Sequence, residues 1–330
     1  MSELHKFLFD GLPVRGMIVR LTDAWKDILQ RRASNTDTGA YPAAVRELLG
    51  EMTAASVLMQ SNIKFNGALV FQIFGDGPVK VAVAEVQTDL GLRATASVNG
   101  DVPAGASLSQ LVNVNGEGRC AITLDPKDRQ PGQQPYQGVV PLNDEDGQSL
   151  GKISEVLQQY MRQSEQLDTC IVLAANDEVA AGLMIQRMPL KGQDNLAGAT
   201  ESRDDEMDAN GMNEEYNRIA TLASSLKRDE LLTLDVDTIL RRLFWEEKLL
   251  RFAPQDGENG PHFACTCSRE RVEGMLRNLG QDEVEQVVAE QGSVEVGCDY
   301  CGAQYRFDAV DAAQLFADVP SQAPGSSSVQ

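Results

Sequence analysis

Apolar and polar positions along the chain alternate between two periods, and the switches between them mark out the elements. Residues 14–21 (VRGMIVRL) read as a first strand, and Thr22 and Asp23 offer capping oxygens for a helix through Trp25, Ile28 and Leu29. Residues 31–40 are polar and loop-like. Pro42 then opens a second helix whose Val45, Leu48, Leu49, Met52 and Val57 recur at helical spacing. Residues 68–74 and 79–86 are β-rich runs around Gly75-Asp76-Gly77-Pro78, which predicts a hairpin. That glycine pair lacks the Gly-Lys-Ser/Thr ending of a phosphate loop and no helix follows it. Strands continue at 92–98, 119–124 and 137–142. Residues 150–165 carry Ile153, Val156, Leu157 and Tyr160 on one helical face, and strands follow at 169–174 and 182–188. Asn115-Gly116-Glu117-Gly118 precedes a strand, where a dinucleotide motif needs to precede a helix. The pattern up to residue 190 predicts an α+β domain with a largely antiparallel sheet and packed helices.

The composition then shifts. Residues 191–215 hold eight acidic and two basic residues with few large apolar groups, so they are expected to be disordered. Helical spacing resumes at Tyr216, Ile219, Leu222 and Leu226, and again at Val236, Ile239, Leu240, Leu243 and Phe244 behind the capping Asp235. These two helices have no core of their own, so their apolar faces are expected to rest on the first domain. Residues 261–317 form a small module in which 271–279 and 282–290 read as short helices divided by Gly280. Val294–Val296 leads into, and Tyr305–Phe307 follows, a cysteine pair. Residues 318–330, rich in Pro, Ser and Gly, read as a disordered tail.

Charge narrows the function. The chain has 49 acidic and 29 basic residues, a net charge of −20. Nucleic-acid affinity comes from neutralising phosphates, so no nucleic-acid partner is expected, and anionic membranes are disfavoured for the same reason. No basic-then-apolar leader opens the sequence and no apolar run reaches the length of a bilayer span, so a cytoplasmic protein is expected. With two histidines, His5 on a mobile terminus and His262 beside the module as a surface or outer neighbour, the inventory for acid–base catalysis is thin. No enzyme is expected.

The chemistry concentrates in Cys265-Thr266-Cys267 and Cys298-Asp299-Tyr300-Cys301. Four thiols arriving two by two have the count and grouping of a closed tetrahedral zinc site. About fifty-five residues make a small core, so metal is expected to help fold the module. Adjacency also lets each pair close on itself as a disulfide. A structural zinc clip and a zinc-held thiol switch share this spacing, and spacing does not separate them. Cys120 and Cys170 fall within apolar strands and are expected to be inert, buried residues.

The sequence resembles the redox-regulated 33-kilodalton heat-shock chaperones of bacteria, the 33 kDa chaperonin family. The resemblance runs through Val14-Arg15-Gly16, Tyr41-Pro42, Lys64-Phe65, Gly75-Asp76-Gly77-Pro78, Tyr136-Gln137-Gly138, Ser164-Glu165-Gln166-Leu167 and Glu246-Glu247. It ends in Cys265-Thr266-Cys267-Ser268-Arg269-Glu270-Arg271 and Cys298-Asp299-Tyr300-Cys301-Gly302. The chain departs from the family in its long acidic segment, in Trp245 where a histidine is common, and in Ala40 where a polar residue is usual. The resemblance implies a substrate-handling domain over 1–190. A metastable helical linker would follow the acidic segment within 191–260, and a zinc redox switch would occupy 261–317. It further implies one Zn2+ held by Cys265, Cys267, Cys298 and Cys301 in an inactive reduced state. Oxidation would form Cys265–Cys267 and Cys298–Cys301 disulfides, release zinc and unfold the linker. The product would be an ATP-independent holdase for unfolded clients, monomeric when reduced and homodimeric when oxidised. A structural zinc-ribbon adaptor and a thiol–disulfide oxidoreductase are the alternatives.

Overall fold

A computed structural model of the chain describes residues 1–35, 39–128, 132–189 and 203–317, and of residues 203–213 the backbone only. It divides into two compact units, the first running from Met1 to Ala264 and the second beginning at Cys265. The boundary falls four residues past Pro261, where the sequence pattern started the module.

The first unit opens with β1 (Glu3–Phe9), β2 (Val14–Leu21), α1 (Asp23–Ala33) and α2 (Ala43–Gln60). There follow β3 (Gly67–Phe74), β4 (Val79–Val86), β5 (Gly91–Val98), α3 (Leu108–Val112), β6 (Arg119–Pro126), β7 (Tyr136–Pro141) and α4 (Ile153–Ser164). After β8 (Thr169–Ala175) and β9 (Ala180–Arg187) come α5 (Arg203–Ser224), α6 (Arg228–Thr233) and α7 (Val236–Phe244). The short strands β10 (Leu249–Arg251), β11 (Gln255–Asp256) and β12 (His262–Phe263) complete it. The α+β class holds, but the strands form two sheets rather than one. The first has the order β10-β1-β2-β9-β8 with β11 also on β1, and the second β12-β5-β4-β3-β6-β7. Among the described residues all pairings in these sheets are antiparallel except β12 with β5.

The second helix, α2, explains this arrangement. Thirteen of its eighteen residues are buried, and residues 52–60 are buried on every side, so beyond the charged Arg46, Glu47 and Glu51 near its start it sits between layers rather than on a surface. It packs on strands of both sheets and anchors a main core that includes Leu49, Met52, Leu58, Leu69, Phe71, Leu92, Ile122 and Met184. A strand such as β2 therefore serves two cores. Met17, Val19 and Leu21 face the main core, while Val14 and Ile18 face a second one on the outer side of the first sheet.

That outer core is closed by α5, α6 and α7. Tyr216, Ile219, Leu226, Leu231, Leu232, Ile239, Leu240, Leu243 and Phe244 bury against Phe7, Phe9, Val14, Ile18, Leu183 and Ile185. Gly16 makes room for this face: a Cβ there would lie 2.1 Å from the Phe7 ring. The helices thus rest on the first domain as expected, but there are three rather than two. The short α6 was missed because its six residues are too few to show a period. The acidic stretch 191–215 is also corrected in its second half. Residues 191–202 lie outside the described residues, whereas α5 is helical from Arg203. His5 is corrected too. It lies in β1, 8 % exposed, between Glu3 and Arg251, rather than on a free terminus. The strand was hidden because its inner face interrupts the apolar pattern with Lys6.

The second unit comprises α8 (Arg269–Leu279), α9 (Gln281–Gln291), the hairpin β13 (Ser293–Gly297) and β14 (Gln304–Asp308), and α10 (Ala309–Ala317). Its core is small: Leu276, Val284, Val294, Phe307, Ala312 and Leu315. Among the described residues no helix is long and apolar enough to cross a membrane.

Candidate metal centre

The chain leaves the first unit along β12, held parallel to β5 and sealed by the Ala264 N–H on the Leu92 carbonyl at 3.0 Å. Cys265 is the next residue. Cys265 and Cys267 occupy the irregular segment before α8, which starts where Ser268 accepts a hydrogen bond from the Arg271 N–H at 3.3 Å. The Arg271 guanidinium donates to Thr266 Oγ1 at 2.7 Å, fixing the residue between the two cysteines. Cys298 and Cys301 lie in the loop of the β13–β14 hairpin. The Cys298 N–H reaches the Ala303 carbonyl and the Gly302 N–H returns to the Cys298 carbonyl, a turn that needs the left-handed φ of +73° at Gly302.

The four sulfurs of Cys265, Cys267, Cys298 and Cys301 all lie within 4.8 Å of one another and could hold a metal ion. Sγ of Cys265 is 3.7 Å from that of Cys298, and Sγ of Cys267 is 3.3 Å from that of Cys301. A tetrahedron of thiolates around zinc has edges of about 3.8 Å from Zn–S bonds of about 2.3 Å, so this donor set fits zinc. These two approaches cross between the pairs, and the 4.8 Å limit keeps partners within a pair in reach as well. Tyr305 on β14 donates its hydroxyl to Cys267 Sγ at 3.1 Å.

The thiols are unequal. Burial pushes Cys298 and Cys301 up from the ordinary thiol value. At Cys267 burial acts the same way but is outweighed by hydrogen bonds, the Tyr305 hydroxyl first and then the neighbouring thiols, which bring it to about 7. The same contact pushes the Tyr305 hydroxyl up to about 12.

Of the sequence-predicted residues, the structure brings all four module cysteines together and keeps the other two out. Cys120 and Cys170 are buried in strands, and burial pushes Cys120 up to about 12. His262 is exposed and bonds the Gly260 carbonyl through Nδ1 at 3.0 Å; it is a surface residue and not one of the cluster. Sequence reasoning missed Tyr305 and Arg269. The signal for Tyr305 was strand parity, which puts it on the same face of β14 as the buried Phe307. Arg269 stacks 4.2 Å over the Phe307 ring, donates to the Arg306 carbonyl at 2.9 Å and pairs with Asp311 at 3.0 Å. It ties the start of α8 to the hairpin and to α10.

A two-sheet α+β body followed by a small unit defines a protein with an appended four-thiol cluster that could hold a metal ion. The model of the Hsp33 protein family matches residues 2–308, and the chain belongs to that family. It is 44 % identical over 315 residues to the 33 kDa chaperonin of Chromobacterium violaceum, covering 96 % of this chain and 94 % of the relative. It is 41 % identical over 315 residues to that of Neisseria gonorrhoeae, with 95 % and 91 % covered. A crystal structure of the 33 kDa chaperonin (Hsp33 homologue) from Thermotoga maritima shares the fold. It has a TM-score of 0.70 at 20 % identity and covers 96 % of this chain and 98 % of that one. The family is one of chaperones, not of enzymes.

Proposed function

We propose that this chain is a redox-regulated, ATP-independent holdase of the cytoplasm, silent when reduced and zinc-bound and active when oxidised. The observation that carries the reading is the outer face of the first sheet. Phe7, Phe9, Val14, Ile18, Leu183 and Ile185 form an apolar surface fit for unfolded polypeptide, and α5–α7 cover it. Those helices have no independent core, so they stay folded only while docked.

Cys265, Cys267, Cys298 and Cys301 supply the trigger. When bound, zinc would hold the four thiolates together and contribute folding free energy to a unit whose core, among the described residues, is six buried side chains. Oxidation to Cys265–Cys267 and Cys298–Cys301 disulfides removes the ligands, so zinc leaves and the unit loses that stability. The helices covering the sheet then open and clients bind where they lay. On this reading the reduced state is a monomer and the oxidised one a homodimer.

The test treats reduced protein with peroxide while following zinc release, disulfide connectivity and suppression of client aggregation together. One equivalent of zinc, lost as activity appears, is expected. Cys298→Ser should bind zinc far more weakly because a hydroxyl is a poor substitute for a thiolate, whereas Cys120→Ser should keep it. Complete zinc release without any gain in anti-aggregation activity would overturn the reading. Peptide maps dominated by Cys265–Cys298 bridges would overturn the pairing.

A further inference from the structure

The Tyr305 hydroxyl is held at Cys267 by more than its own hydrogen bond. Its strand pairs Tyr305 with Val296 across the hairpin, and Phe307, two residues on, is fully buried in the unit's core. Arg269, stacked on Phe307 and bonded to the Arg306 carbonyl, ties this strand to α8, whose capping Ser268 directly follows Cys267. Backbone pairing and packing therefore aim the phenol O–H at Cys267 Sγ, 3.1 Å away.

We propose that Tyr305 restrains the oxidation of Cys267 and so sets the oxidant threshold of the switch. This rests on the reading of the four cysteines as zinc thiolates. A thiolate attacks a peroxide through a sulfur lone pair: the S–O bond forms, the O–O bond breaks and hydroxide leaves, giving a sulfenic acid. A neighbouring thiolate then attacks that sulfur, the S–S bond forms and a second hydroxide leaves. Two thiolates have thus given two electrons to one peroxide. An O–H donor aimed at the sulfur draws charge from the attacking lone pair. A hydrogen bond to a charged group corresponds to about one to two decades in sulfur basicity. Nucleophilicity follows basicity with a slope of about 0.4–0.5, so removing the donor speeds attack about three- to tenfold.

The test compares zinc-loaded, reduced wild type with Tyr305→Phe in two arms. In dilute peroxide, zinc release reported by a chromogenic chelator should be about three- to tenfold faster in the variant. With chelator alone the variant should release zinc no faster than wild type, because all four sulfurs remain and a more basic thiolate holds the metal at least as tightly. Equal peroxide rates would overturn the role of Tyr305. An acceleration of the same size in both arms would show only a loosened module and overturn it as well. Should Tyr305→Phe not fold, a monofluorinated tyrosine placed at position 305, a stronger donor of nearly the same shape, should slow the peroxide arm. An unchanged rate there overturns the proposal. Wild type without zinc would overturn the underlying reading and this inference with it, a result that metal analysis shows before any oxidant is added.

Discussion

Phe244→Ala tests whether the linker helices are held by their apolar face. Phe244 closes α7, is 2 % exposed, and meets the Phe9 ring edge-on at 5.1 Å and the Phe7 ring at 6.2 Å. Truncating a buried phenylalanine costs about 3–5 kcal/mol, aromatic pairing included. Both ring partners belong to the sheet, so the loss falls on docking rather than on α7 itself. At 1.4 kcal/mol per decade, the docked-to-open ratio drops by about a hundredfold to a few thousandfold. Hydrogen exchange on the reduced, zinc-loaded variant should show α7 amides accelerated by that factor, up to the limit of the undocked state. The same sample should suppress client aggregation without oxidant. Trp245→Ala is the control: the next residue is 74 % exposed, and its removal should change exchange by about 0.5 kcal/mol or less. Unchanged α7 protection in Phe244→Ala would refute the packing argument. Lost protection without reduced-state activity would refute the link from cover to function.

Two further outcomes follow from polar contacts of the same helices. The Arg20 guanidinium, reaching from β2, donates to the carbonyls of Leu231, Leu232 and Leu234 at 3.1, 2.9 and 3.2 Å and so caps the end of α6. Arg20→Met should weaken α6 docking by about 1.5–3 kcal/mol, read as faster exchange in α6 than in α5, while zinc content stays unchanged. Asp235 caps α7 through the Thr238 N–H at 2.8 Å, and that bond holds its carboxyl below the ordinary value of 3.8. A depressed acid contributes stability above its unfolded value and loses it as pH falls through the folded one. Protection in α7, taken relative to intrinsic exchange at each pH, should therefore fall as pH drops below about 3.8, and Asp235→Asn should flatten that dependence; an identical pH profile in the variant would exclude the cap as its source.

The cysteine tetrad and the docked helices were legible because each has a short-range signature. Paired thiols stand out at any distance in the fold, and Ile239, Leu240, Leu243 and Phe244 mark one helical stripe, all buried in the structure. What stayed hidden depends on partners far along the chain. The separation into two sheets is set by α2 lying between them, and its residues 52–60, buried on all sides, show no charged face to reveal that position. The strand β1 is masked because Lys6 breaks its inner face, where it donates to the Ser61 carbonyl at 2.8 Å. Arg20 reads as an ordinary strand residue until α6 arrives more than two hundred positions later. The departures Trp245 and Ala40 are both exposed, so neither enters the covered face.

How firmly the cover is held decides whether it can act as one. Its ion pairs are mostly at the surface: Arg218 with Glu215 and Glu247, Arg242 with Glu230 at 2.7 Å, Arg251 with Asp237 at 2.6 Å, and Lys248 with Asp10 at 2.7 Å. Exposed pairs of this kind contribute about 0–1 kcal/mol each and weaken with salt. The apolar contact therefore dominates docking, and on the proposed reading it is made on the same surface that a client would need. Cys170 lies within that contact, its Sγ 3.3 Å from Ser224 Oγ on α5, with burial raising its thiol above the ordinary value. On the proposed reading, cover and client compete for one face. The energy that keeps the protein silent is then of the same kind that later holds the client.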